Sequence, residues 1–117
     1  MKYMLLFGGD PLAGEELPPA EVKRLEGAVM EWWGRHAQAG KIVGGERLES
    51  PAAATTVRFQ GERPVVSDGP FVEAKESIGG FGLIDVADLD EALALAKTWP
   101  ARGFVEIRPV MNMDHDH

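Results

Sequence analysis

Phe81-Gly82-Leu83-Ile84-Asp85-Val86, followed after one residue by Asp88-Leu89-Asp90-Glu91, is the stretch on which the fold class turns. The first six residues form an apolar run of strand length. The next four open a helix: Asp88 can accept hydrogen bonds from the free N–H groups of the first turn, and Glu91 stands at the third helical position, where it can reach back. Leu89, Leu93 and Ala96 are predicted to carry the buried stripe of this helix, which Pro100 ends near Trp99. Val105-Glu106-Ile107-Arg108 then alternates apolar with charged and predicts a last strand.

Working back towards the N-terminus, the same succession recurs. Tyr3 to Phe7 is a continuous apolar run closed by Gly8-Gly9-Asp10, the pattern of a buried first strand. It is too short for a signal peptide and lacks a small-residue cleavage pattern. A polar connector leads to Pro18 and Pro19, which suit a first helical turn because proline's missing N–H is not needed there. Glu21 adds negative charge near the positive helix end. From Ala20 to Ala39 the residues Val22, Leu25, Val29 and Trp32 fall at helical spacing, Trp33 widens the stripe, and Gly40 is the stop. Ile42-Val43-Gly44-Gly45 begins a second strand whose glycines permit a bulge. In Thr55 to Gln60, Val57 and Phe59 fall on one face and Arg58 and Gln60 on the other, a strand with one wet side. Gly61-Glu62-Arg63-Pro64 reads as a turn, and Val65-Val66-Ser67 resumes an extended path.

Two strand–helix units of this kind predict an α+β fold: a ferredoxin-like, βαββαβ-type, mostly antiparallel sheet with both helices on one face. The other sheet face stays bare in a monomer, so a symmetric homodimer in which two sheets pack together is expected, and the Val65-Val66 segment is expected to add an edge strand or reach across that dimer. Residues 1–111 are read as one domain and 112–117 as a flexible polar tail.

Composition narrows the function. The chain has 117 residues, no cysteine and a formal net charge of −7. Without cysteine there is no disulfide framework, thiolate zinc site or thiol nucleophile, which fits a cytoplasmic protein. The negative surface and the absence of a Lys/Arg cluster disfavour nucleic-acid binding, and no stretch is long and apolar enough to span a membrane. Asp114-His115-Asp116-His117 holds metal-ligand types, but a tail preorganises them poorly, so no metal is assigned.

The functional signal is concentrated in Ser67-Asp68-Gly69-Pro70-Phe71-Val72-Glu73-Ala74-Lys75-Glu76-Ser77-Ile78-Gly79-Gly80. Asp68 can close an Asx-type turn, Phe71 offers an apolar anchor, and Gly79-Gly80 permit close approach of a backbone or ligand. Lys75 has carboxylates beside it that favour the ammonium, a poor base, so it reads as an ion-pair partner or an anchor for substrate charge. Asp68 and Glu73 are the candidates for proton transfer, provided burial raises one of their pKa values. Trp32, Phe71 and Phe81 are the candidate apolar walls. The plainer reading makes Asp68 to Phe71 a structural turn and Glu73, Lys75 and Glu76 an ion-pair network. His36, four residues after Trp32, reads as a packed histidine.

Asp68-Gly69-Pro70-Phe71 with Glu73, Lys75, Glu76 and Gly79-Gly80-Phe81 resembles the signature of the DGPF-domain proteins, part of the wider YCII-related group. Met1-Lys2-Tyr3-Met4, Gly44-Gly45-Glu46 with Leu48, and Asp85-Val86 running into Asp88-Leu89-Asp90-Glu91-Ala92 extend the resemblance over nearly the whole chain. It implies a dimeric α+β barrel. For the wider group it also implies a suspected enzymatic role through a His/Asp pair in a pocket, and an association with transcription initiation through sigma factors. Two functions stay open: a domain binding a small organic molecule in a cleft, with cofactor-independent acid–base chemistry on it, or a non-enzymatic interaction or regulatory module.

Overall fold

The computed structural model of the chain describes residues 1–9, 17–69 and 78–112. In chain order it contains β1 (Lys2–Gly8), α1 (Pro19–Gln38), β2 (Ile42–Arg47), a single 3-10 turn (Pro51–Ala53), β3 (Thr55–Gln60), β4 (Arg63–Asp68), β5 (Ile78–Asp85), α2 (Leu89–Ala96) and β6 (Phe104–Pro109). Four strands form one sheet in the order β2-β5-β1-β6, and every neighbouring pair is antiparallel. This arrangement is compatible with a ferredoxin-like α+β fold, into which a separate hairpin, β3–β4, is inserted between β2 and β5.

Strand alternation decides which face is buried. Tyr3, Leu5 and Phe7 of β1 stand opposite Ile84, Gly82 and Gly80 of β5, and opposite Pro109, Ile107 and Val105 of β6. This face carries the core, in which Leu5 and Ile84 are fully buried and Trp32 of α1 and Ala92 and Leu95 of α2 pack against them. Burying a leucine or isoleucine side chain stabilises the fold by about 1.5–3 kcal/mol. On the opposite face Met4 pairs with Leu83 and Leu6 with Phe81, all half-buried. The shortest principal extent is 19 Å, room for one sheet and one helical layer and not for a third.

The helix starts follow the sequence. Pro18 is the N-cap of α1 and Pro19 its first residue. In α2 the Asp88 carboxylate accepts the Glu91 N–H at 2.9 Å, and Glu91 in turn accepts the Ala87 N–H at 2.7 Å. That N–H, and secondarily Lys41, hold the Glu91 carboxyl below its ordinary pKa.

Three expectations are corrected. The buried stripe of α2 is Ala92 and Leu95; Leu89 and Leu93 are 49% and 37% exposed. Ala92, fully buried, lets the helix lie close on the sheet, and this turns the larger leucines to its flanks. The second concerns β3, which is wet on both sides. Val57 pairs with Val66 and Phe59 with Pro64, and this apolar face is open to solvent. The turn is also tighter than expected: Gly61 (φ 65°) and Glu62 make it, and Arg63 and Pro64 already belong to β4.

Candidate functional site

At one end of the sheet Gly8 ends β1 and Gly9 follows it, Gly45 lies in β2, and Gly79 and Gly80 sit near the start of β5. They form the floor of a cavity of about 630 Å³ that runs under α1, from Leu25 and Val29 to Trp33, and on to Trp99 and Arg102 before β6. The missing side chains matter at two positions. A Cβ at Gly45 would stand 2.7 Å, and one at Gly82 3.0 Å, from the Cη2 atom of Trp33. The Trp33 indole therefore lies directly on strand backbone.

The inner wall is aromatic. Phe7 and Trp99 stack with ring centroids 4.2 Å apart and planes inclined by 32°, and Trp33 lies 5.7 Å from Phe7. Trp32 backs this wall from the core, meeting Phe7, Trp33 and Trp99 edge to face. Its Nε1–H donates to Thr98 Oγ1 at 2.8 Å, and the Thr98 hydroxyl donates to the Leu95 carbonyl at 2.6 Å. The indole's polar edge is thus satisfied within the core. The rim is charged: Arg47 and Glu26 form an exposed ion pair at 3.6 Å, with Glu46, Glu49 and Arg102 around them. Apolar walls of this kind with a few polar groups at the mouth suit a small organic ligand. A shallower hollow of about 300 Å³ lies between α2 and β6 and shares Trp99 with the cavity.

The residues singled out in the sequence are distributed as follows. Trp32 is 2% exposed and belongs to the core; the neighbouring Trp33 lines the cavity. Phe81 faces the open side of the sheet, because Gly80 and Gly82 on either side of it face the helices. Asp68 ends β4, exposed, and is not among the lining residues. Phe71, Glu73 and Lys75 lie outside the described residues, as do Asp114 to His117. Of the central motif, the described part that reaches the cavity is Gly79-Gly80. Trp33 and Trp99 were missed as cavity walls; no local pattern in the chain marks them, because the close approach of Trp33 to Gly45 and Gly82 is set by the fold. Among the described residues no three His, Asp or Glu side chains converge to hold a metal ion.

His36 packs its ring 5.0 Å from Trp32 at 68°, and its Nε2 is buried with no hydrogen-bond partner among the described residues. Burial first, then the nearby Arg35 and Lys41 charges, lower its pKa. The unfolded chain, with an ordinary histidine pKa of about 6.5, binds this proton more readily than the folded one. Stability from His36 is therefore complete above that value and is lost as pH falls through the lowered folded-state pKa. His36→Gln should flatten the fall in stability below about pH 6.5, as read by urea titrations across pH. An unchanged slope would show that the imidazole is not desolvated.

Two comparisons bear on kinship. The YCII-related domain matches residues 1–114. An uncharacterised protein of Rhizobium meliloti (strain 1021) is 42% identical over 114 residues, which cover 94% of this chain and 92% of that protein.

Proposed function

The chain belongs to the YCII-related family, and from that premise we propose that it is a small dimeric domain that binds a compact, largely apolar organic molecule in the cavity beneath α1. The observation that carries this reading is the aromatic wall of Phe7, Trp33 and Trp99 around a space of about 630 Å³. The charged rim at Arg47, Glu26 and Arg102 would orient a polar group of the ligand at the mouth. Asp68, exposed and away from the lining, is given no chemical step. If acid–base chemistry accompanies binding, Glu73 is the candidate proton-transfer group and Lys75 the anchor, since both precede the cavity-lining Gly79 closely in sequence. Dimerisation is part of the reading: Met4, Leu6, Phe81 and Leu83 make an apolar centre on the open sheet face, with Glu106 and Arg108 beside it on β6.

Thermal-shift screening against a metabolite library tests the binding. A ligand present at about a hundred times its Kd should stabilise the fold by about 2.7 kcal/mol. Trp33→Ala should weaken that ligand at least tenfold, about 1.4 kcal/mol, and the ligand should quench tryptophan fluorescence in the parent. A ligand whose affinity is untouched by Trp33→Ala binds elsewhere, and the cavity reading then fails.

A second reading is supported by the exposed apolar face of the β3–β4 hairpin. In it the chain is an interaction or regulatory module, and recovery of a sigma factor in a pull-down with the parent chain, lost in a variant of Phe59, would favour it.

A further inference from the structure

The β3–β4 hairpin is a two-stranded arm separate from the main sheet, with an exposed apolar side. Its register places Val57, Phe59, Pro64 and Val66 on one face, with Thr55 and Asp68 at its base, and Arg58, Gln60, Arg63 and Ser67 with Val65 on the other. Val57, Phe59 and Val66 are 50%, 71% and 65% exposed. Two bonds extend the pairing at the open end of the hairpin: the Gly69 N–H donates to the Ala54 carbonyl at 2.7 Å, and the Thr56 hydroxyl donates to the Gly69 carbonyl at 2.6 Å. A lone two-stranded hairpin is marginally stable in water unless its apolar face is covered. We propose that this face is a clasp, laid on a second copy of the chain at the margin of the sheet-to-sheet contact. Exposed apolar residues stand at both margins of the sheet, Val43 on the β2 edge and, on the opposite edge, Val110 and Met111 just beyond β6, and one of these margins receives it.

Area selects this occupant. Strands about 4.8 Å apart, rising about 3.4 Å per residue, give the four-stranded face a footprint of about 400 Å² and the hairpin one of about 200 Å². Two open sheet faces alone bury roughly 800 Å², the upper end of adventitious contacts, whereas stable pairs bury roughly 1,200–2,000 Å². Two hairpins, each burying its own face and an equal area of the other copy, bring the total to roughly 1,600 Å². The exchange is reciprocal, as a two-fold axis requires.

The clasp rests on the sheet-to-sheet dimer proposed above, so the test separates the two. Sedimentation equilibrium is run on the parent chain, on the double variant Phe59→Ser/Val66→Ser, and on Leu83→Asp in the open sheet face. Hydrogen exchange of the β3–β4 amides is followed at concentrations above and below dimer dissociation. The expected result is a parent dimer that Leu83→Asp disrupts and the hairpin variant weakens at least tenfold, with hairpin amides protected only in the dimer. An unchanged Kd in the hairpin variant overturns the clasp while leaving the dimer in place, and returns the apolar face to a heterologous partner. Protection independent of concentration also overturns it, because the hairpin then covers its own chain. A parent that stays monomeric at every concentration overturns both. The substituted hairpin residues are solvent-facing, so circular dichroism should show the variants folded.

Discussion

Trp32→Ala is expected to lower the melting temperature by roughly 10–20 °C, from a loss of about 3–5 kcal/mol. Trp32 is the residue at which the two structural layers meet: its ring touches Phe7 of β1, Trp99 beyond α2, and His36 one turn along its own helix. Removing it empties the space between them, and the cavity term adds to the lost burial. Trp32→Phe separates the two contributions. It keeps much of the apolar volume and loses the bond to Thr98, and is expected to cost about 0.5–1.5 kcal/mol for the bond, with a smaller volume term. If Trp32→Ala proved nearly neutral in calorimetry, the core could not be where it has been described.

Gly45→Ala is expected to be nearly as damaging, although it adds a single methyl group. Gly45 has φ 145°, and its Cβ would stand 2.4 Å from the Phe81 carbonyl oxygen and 2.9 Å from Gly82 Cα. Backbone strain of about 1–3 kcal/mol and overpacking of similar size combine to a loss of about 2–6 kcal/mol. A large part of the damage should fall on the cavity, because Trp33 must leave its seat on the strand. Gly27→Ala is the contrast: that glycine lies within α1 with nothing near its Cβ position, and the same substitution should stabilise by about 0.5–1 kcal/mol. Urea titration of the two variants should give shifts of opposite sign; shifts of the same sign would contradict the tight seat of Trp33.

Much of the fold could be read from the chain because local chemistry and tertiary placement agree there. The capping pair Asp88 and Glu91 starts α2, the prolines at 18 and 19 start α1, and the apolar run from Tyr3 to Phe7 is a strand, of which the structure buries Tyr3, Leu5 and Phe7 on one face. The face of α2 could not be read in this way. A run of alanines and leucines is apolar all round, and packing distance chose Ala92 over Leu89. The strand pattern of Val57 and Phe59 was correct as alternation, yet nothing in it tells a face covered by the same chain from one left open. The site was legible only in part. Gly79-Gly80 were identified as a place of close approach and do line the cavity, whereas Trp33 and Trp32 are adjacent in sequence and only the turn of the helix separates wall from core. Backbone geometry, invisible in composition, makes Gly45 and Gly82 the seat of a ring.

The Leu48 N–H donates to the Gly79 carbonyl at 2.9 Å, so the insert that carries the β3–β4 hairpin leaves and rejoins the four-stranded frame at one neck. The entropy of closing such a loop grows only with the logarithm of its length: with about 30 residues already enclosed, doubling the insert would cost only about 0.6 kcal/mol more. The four-stranded frame is therefore nearly indifferent to what the excursion contains. Lengthening, trimming or rewriting it can change what the molecule recognises while the frame folds as before.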